Sequence, residues 1–490
     1  MKKLIPLSLI LILILPFVYQ TTPLEVLKLK TFDAFSPKQQ ESGYFTVLNI
    51  TENDITNEGG YPLPRQRLAE IHKEIIDRGA IGVGWTVAYP QPDRFGGDEA
   101  FAEALKLSPS VLAMFENDNG DYPPTTGTVI LGDDKGGIEA KGVVQNIPIL
   151  AESANQGIAV ARAEVDSLVR RLPLLLKTPN GWVPAYSTEV LKILAGDSDT
   201  YLIKTNDNGI EQVRVKGLPP VSVDSLGRKW ISWVDTAQTD LEEMNVEGKF
   251  VFVGYTAKGI MPQLATPVGL LEPHKIQTAL AESILIENSP YVPDWSFAVE
   301  FMTLLLSIIL IWVILSVSGI TLGISLGVIL MLSTGYTGYY LIQSGMLIDV
   351  TWTLISQFIT GSTAFYVRFR EQYKARQLIK QQFGKYLDPR MVKKLQKNPE
   401  LCQINGARVD CSIIFTDLRG FTSLSESVEP EMVTYIMNSV LDVQVQAVNQ
   451  FSGVTDKFIG DAGMFHFNTI IPQEDHHQLA CDAARQIEKN

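Results

Sequence analysis

Two acidic residues near the C-terminus stand where their chemistry could be used. Asp417 closes the apolar run "CSIIFT" and is followed at once by Gly420-Phe421-Thr422. A carboxylate inside a core costs several kcal/mol of desolvation. At the end of a buried strand Ser412–Phe415, beside a turn that glycine permits, it can face a cation instead. The turn Leu418–Thr422 would present backbone N–H groups just ahead of a helical stretch, "TSLSESVEPEMVTYIMNSVL", a natural seat for phosphate oxygens. A lone strand-end aspartate is commonly a plain cap, so the second one matters. "VTDKFIGDAGMFHF" reads as strand, tight turn at Gly460-Asp461, strand. If that hairpin pairs with Ser412–Phe415, Asp461 comes to Asp417. Two such carboxylates suit a pair of Mg²⁺ ions clamping a triphosphate. Lys457, four residues before Asp461, is expected on the same strand face, where it could meet a base edge.

The elements that must position these residues lie behind a membrane. Apolar residues make up 46% of the 490-residue chain, high for a soluble protein. No charge occurs from Phe301 to Ile348, enough for two spans of ~20 residues each with a turn near Gly319. "VTWTLISQFITGSTAFYV", ending at Val367, supplies a third. Lys2 and Lys3 precede "LIPLSLILILILPFVY", which is short for a span and has the look of a signal-peptide core. No small-residue cleavage site follows, so an uncleaved signal-anchor is expected. Arg368, Arg370, Lys374, Arg376, Lys380 and Lys385 place the C-terminal part in the cytoplasm, and Lys2 and Lys3 put the N-terminus on the same side. Four spans satisfy both signals. The expectation is a multi-pass protein of the inner (plasma) membrane, with residues 23–294 exported.

The exported stretch alternates apolar runs with amphipathic ones, as a mixed α/β domain does. "GYFTVLNIT" and "AIGVGWTVAY" read as strands. Between them "LPRQRLAEIHKEIIDRG" reads as a helix with Leu68, Ile71, Ile75 and Ile76 on one stripe and Gly79 as its stop. This βαβ unit predicts a parallel pair with a right-handed crossover. "NDNGDYPPTTG" and "LGDDKGG" read as loops. Gly82-x-Gly84 lies inside a strand and lacks a third glycine, which argues against a dinucleotide site. Net charge is −13, and no basic block is interleaved with aromatics, so nucleic-acid binding is not expected. All three cysteines, Cys402, Cys411 and Cys481, fall in the last quarter, which excludes a disulfide framework in the exported part. His476-His477 opens an amphipathic helix, where neighbours diverge by ~100°, which argues against a metal site.

Two resemblances sharpen this reading. "VLNITENDI", "GGYPLPRQRLAEIHKEIIDRGAIGVGWTVAYPQPDRFGGDEAFAEAL", "RRLPLLLK" and above all "FVFVGYTAKGIMPQLATPVGL" resemble the CHASE-type extracellular sensory domain of the second class. Such domains precede cyclase, kinase or phosphatase outputs in bacterial receptors. Thr51 and Trp85-Thr86 stand where that family often has aspartates, and "EPHKIQTAL" alters a Pro-Gly-Val segment. A ligand site built on those carboxylates is therefore not carried over, and the stimulus stays unknown. "FTDLRGFTSLSE" together with "DKFIGDA" resembles the class III nucleotidyl cyclases. That resemblance implies an α+β ferredoxin-like (palm) domain and cyclisation of ATP to cyclic AMP and pyrophosphate, a phosphorus–oxygen lyase reaction. It implies Asp417 and Asp461 on two Mg²⁺ or Mn²⁺ ions, completed by the Leu418 backbone. Gly420, Phe421 and Thr422 would line the triphosphate seat, and Lys457 would read adenine. Gly463 replaces a usual valine, a small loss of packing.

The expected organisation is therefore a signal-anchor over 1–22, a sensory domain over 23–294 and three transmembrane helices over 296–367. A linker follows over 368–405, with Phe369, Tyr373, Leu378 and Phe383 on a coiled helix and a second helix starting at Asp388-Pro389. Residues 406–490 form the first half of a cyclase domain expected to work as a homodimer. By the resemblance, a second purine-reading residue and the asparagine and arginine that stabilise the transition state lie beyond Asn490, so the expectation is a truncated adenylate cyclase receptor or a pseudoenzyme. The competing reading is a non-catalytic receptor whose incomplete domain only dimerises or binds nucleotide. A cyclic-dinucleotide output is disfavoured, because no Gly-Gly-Asp/Glu-Glu-Phe signature follows Asp417.

Overall fold

The computed structural model describes residues 4–196, 200–383, 408–470 and 472–489, with backbone alone for residues 4 and 380–383. The expected helix start at Asp388-Pro389, the remaining linker to residue 405, the side chain of Phe383, and Lys2 and Lys3 lie outside the described residues. The chain divides into two compact units, Met1–Ala364 and Phe365–Asn490.

The first unit is built on a sheet whose central strand, Phe250–Tyr255, is buried at every position. Such a run fits a parallel strand covered on both faces. Its residues alternate, as the pleat requires. Phe250 and Phe252 pack with Phe45 and Tyr186 on one face, while Val251, Val253 and Tyr255 join Leu68, Ile71 and Ile75 on the other. Strands Phe45–Ile50 and Gly82–Trp85 are both parallel to it. The two therefore share a sheet, as their βαβ pattern predicts, but they are not neighbours: Phe250–Tyr255 lies between them. The helix Arg65–Asp77 buries Leu68, Ile71 and Ile75 as expected, and His72 with them. A Cβ on Gly84 would come within 2.4 Å of the Tyr186 hydroxyl, so close packing accounts for that glycine. Asn117–Asp121, expected as loop, extends the strand Ser110–Asp121.

The apolar stretches form helices Leu4–Val18, Ser296–Val317 and Ile320–Gln343. The last two are long and apolar enough to cross a membrane, which marks a membrane protein. Helix Leu4–Val18 runs into helix Thr22–Phe35 through a 72° bend, and that pair counts at most as one further span. The expected third span is the first half of an unbroken helix, Thr351–Phe383, so no structural break marks the passage from span to linker. This helix falls short of the apolarity of the other two. Three polar residues of its first half face inward: Ser356, Gln357 and Thr360 are buried, and the Gln357 amide donates to Thr334 of the neighbouring helix at 3.0 Å. Polar side chains in such helices pack against other helices rather than lipid.

The second unit is an α+β arrangement. A three-stranded antiparallel sheet carries strand Ala462–Phe467 in the middle, flanked by Ser412–Thr416 and Val454–Ile459. Helices Pro430–Gln450 and His476–Lys489 cover one face, burying Val448, Phe465, Phe467 and Ala483.

Candidate functional site

Strand Ser412–Thr416 exists because "SIIFT" is rich in β-branched and aromatic residues, which suit a pleated surface. It is not the buried strand its apolar run predicts. Ile414 packs against the helices, but Ile413 and Phe415 are 49% and 66% exposed on the opposite face. The sheet is covered on one side only among the described residues, so apolarity alone overstated its burial.

Asp417 follows this strand directly and is exposed. The residue before it is firmly held. The Thr416 hydroxyl donates to Gln444 Oε1 at 2.7 Å and accepts from the Gly463 amide at 3.1 Å. Neither Thr416 nor Gln444 figured in the sequence reading. A signal was present, since Gln444 is a polar residue on the buried stripe Leu441, Ala447, Val448 of its helix. Such a residue needs a partner inside.

The hairpin forms as predicted. Ile459 pairs with Ala462, leaving Gly460-Asp461 as a two-residue turn, with Gly460 at φ 65°. Turns of this kind need a positive φ, which glycine adopts freely. The middle strand then pairs with Ser412–Thr416 so that Thr416 stands opposite Gly463. Asp417, one residue beyond Thr416, and Asp461, two residues before Gly463, therefore lie at the same end of the sheet. The sequence reading required this pairing, and the register provides it.

Gly420 has φ 78° with nothing within 4 Å of a would-be Cβ, so conformation rather than space selects glycine there. The Phe421 amide donates to the Leu418 carbonyl at 3.3 Å, closing the turn. Helix Phe421–Ser427 is only seven residues long, with Phe421 partly buried and Thr422 exposed. The single helix expected here is two, because Pro430 opens a new one over Pro430–Gln450. A cavity of about 590 Å³ lies between the sheet and the helices Pro430–Gln450 and His476–Lys489, with Asp417, Leu418 and Gln444 on its wall.

Lys457 lies on the outer strand of the hairpin and is exposed, with Asp456 Oδ2 3.4 Å from its Nζ. The one register shift of that strand falls between Thr455 and Lys457, and from Lys457 to the turn the pairing is regular. One expectation changes: Gly463 is no packing loss. A Cβ there would meet the Phe465 ring at 2.7 Å and Thr416 Oγ1 at 2.8 Å, so the glycine makes room for both.

An α/β domain joined to apolar helices, followed in the chain by an α+β unit, is the architecture of a membrane protein with a folded domain on either side of its spans in sequence. The chain belongs to the CHASE2 domain family, whose model matches residues 9–319. The protein "Adenylate cyclase" of Anabaena cylindrica is 40% identical over 57 residues, which are 12% of this chain and 11% of that protein. The chain thus spans only a small part of that relative. Among solved structures, the adenylyl cyclase CyaB from P. aeruginosa is 28% identical over 16% of this chain and 45% of that one, with a TM-score of 0.16. So low a score says nothing about shared fold.

Proposed function

We propose that the protein is a membrane-bound sensor adenylate cyclase, in which the CHASE2 domain controls conversion of ATP to cyclic AMP and pyrophosphate by the second unit. One observation carries the reading: the antiparallel register that sets Thr416 opposite Gly463 sends Asp417 and the Gly460-Asp461 turn to one end of the sheet. The short identity with a protein named adenylate cyclase supports the choice of reaction. The organisation is that of the sequence reading: an N-terminal anchor, an exported sensor, apolar spans and a cytoplasmic ferredoxin-like domain acting as a homodimer.

Hard oxygen donors on exposed or half-buried side chains fit Mg²⁺ or Mn²⁺. Asp417, Asp461 and the Leu418 carbonyl would hold the ions, which when bound acidify the ribose 3′-hydroxyl and draw charge from the α-phosphate. Residues of this chain would position the substrate. Thr416, pinned by Gln444 and Gly463, fixes the backbone from which Asp417 projects. The turn from Leu418 through Gly420 to Thr422 turns amide hydrogens toward the phosphates, beside Phe421. Lys457 takes the adenine edge. The 3′-hydroxyl gives up its proton to solvent, the 3′-oxygen bonds to the α-phosphorus as the bond to the β-phosphate oxygen breaks, and pyrophosphate leaves with that electron pair.

The test is cyclic AMP formation from Mg²⁺- or Mn²⁺-ATP by the membrane-reconstituted protein completed with the second half of the cyclase domain, compared with Asp417→Ala and Asp461→Ala. Loss of product in both variants is expected, and equal activity removes these residues from the site. Wild-type protein that binds nucleotide without turning it over would instead mark a non-catalytic receptor. Lys457→Glu should weaken ATP use relative to GTP, and an unchanged preference refutes the base-reading role.

A further inference from the structure

The second unit holds another cluster of metal-binding side chains, at the opposite end of strand Ser412–Thr416 from Asp417. The sequence argued against His476-His477 as ligands, because successive helix positions diverge. In the structure the two rings nonetheless converge. Both residues open the helix His476–Lys489, and their ring centroids lie 3.7 Å apart. Both Nδ1 atoms reach the same hydroxyl, Ser412 Oγ, at 2.8 Å for His476 and 3.0 Å for His477. A hydroxyl has one proton to give, so it can donate to only one of them. Ser412 therefore gathers two imidazoles onto one point. Asp410, two residues earlier, completes the group: one ligand atom from each of Asp410, His476 and His477 lies within 4.8 Å of the others.

We propose that Asp410, His476 and His477 bind a borderline divalent transition-metal ion of the Zn²⁺ class. Two imidazoles and one carboxylate are the donors that Zn²⁺ and its neighbours take, whereas Mg²⁺ and Ca²⁺ prefer oxygen alone. Bonds of ~2.0–2.1 Å in a tetrahedral shell hold donors closer than 4.8 Å. His476 is buried while His477 and Asp410 are exposed, so any closing of the shell falls to those two side chains. Three protein ligands leave a fourth position for water. Such an ion would staple the helix His476–Lys489 to the root of the strand that ends in Asp417. Because it uses different donors, this site does not depend on the Asp417–Asp461 reading.

Co²⁺ titration of the full chain in detergent tests it. The visible d–d bands of nitrogen-coordinated Co²⁺ should saturate at one ion per chain and be displaced by Zn²⁺ but not by Mg²⁺. His477→Ala and Asp410→Asn change exposed residues and leave the fold intact by circular dichroism. Each should weaken binding at least ~10-fold, since even loss of an outer-shell partner costs metal sites ~10–100-fold. Asp417→Asn and Asp461→Asn should leave the titration unchanged. Absence of bands, unaltered affinity in His477→Ala, or loss of the bands in Asp417→Asn would each overturn the assignment.

Discussion

Acid should unfold the sensor domain well above the pH at which ordinary carboxylates protonate, because two histidines are locked in it as neutral rings. Trp85 Nε1 donates to His72 Nδ1 at 3.2 Å, and an indole N–H can only donate. His72 Nδ1 is therefore a lone pair, and its proton sits on Nε2, facing Ser108 Oγ at 3.3 Å. Protonating Nδ1 would set two N–H groups against each other in a fully buried place. Burial lowers the His72 pKa from 6.5 to about 4. His274, whose Nε2 meets Asn49 Oδ1 at 3.0 Å, is pushed down to about 3, chiefly by burial.

A histidine with a depressed folded pKa stabilises the fold above its unfolded pKa. That contribution is lost as pH falls from 6.5 toward the folded value, because only the unfolded chain takes up the proton. One unit of pKa difference is ~1.4 kcal/mol, so two such rings give a slope of ~2.7 kcal/mol per pH unit below 6.5, or about 4 kcal/mol between pH 7 and pH 5. Glu282, whose carboxyl burial raises, binds its proton more tightly in the folded state and offsets part of the loss at the acid end. Urea unfolding of the full chain in detergent, followed by tryptophan fluorescence at pH 7, 6 and 5, reads the slope. His72→Asn keeps an acceptor for Trp85 and should halve it. A flat profile from pH 7 to 5, or an unaltered slope in His72→Asn, would refute the neutral-ring argument.

Three further outcomes are expected. Arg170, 1% exposed, makes forked hydrogen bonds to Asp33 and Asp166, so Arg170→Met strands two carboxylates and should cost about 3–5 kcal/mol in urea unfolding. That cost should shrink in acid, because the Arg170 hydrogen bond holds Asp166 below the usual carboxylate range and its contribution fades as pH falls through the folded pKa. Gly463→Val should destabilise the second unit by ~1–3 kcal/mol in thermal unfolding, since its side chain would collide with Phe465 and Thr416. Lys28→Leu should lower thermal stability more than Lys28→Leu with Glu300→Gln, because Glu300 is 3% exposed and pairs with Lys28 at 3.1 Å.

Much of this architecture could be read from residue patterns, and the failures share a cause. Local signals placed the apolar helices, the Gly79 helix stop, and the hairpin around Gly460-Asp461. What they could not carry was the partner chosen from far along the chain. Nothing between Phe45 and Trp85 announces that residues 250–255 will separate their strands. Gly463 looked like lost packing until Phe465, on its own strand, was seen folded across it. His476 and His477 diverge on any ideal helix, and converge only because Ser412 stands 64 residues away in sequence to receive both. The break before Pro430 was legible and was missed, since the residue before proline avoids helical geometry.

The same long-range logic gives the short helix Thr22–Phe35 its importance. Its sequence, "TPLEVLKLKTFDAF", is too brief and too polar to read as more than the edge of a domain. In the fold it meets both the α/β domain and the apolar helices. Asp33 takes the sensor's Arg170, and Phe32 meets Trp230 edge-on at 5.9 Å. Lys28 takes Glu300 of the first apolar helix. Leu29 and Phe32 share a cluster with Ile342 and Leu347, and Thr31 meets Thr351 at 3.0 Å. Five residues apart on one short helix, Lys28 and Asp33 thus tie it to Glu300 of an apolar helix and to Arg170 of the α/β domain. Removing either partner would leave a poorly solvated charge behind, which costs more than the pair itself adds.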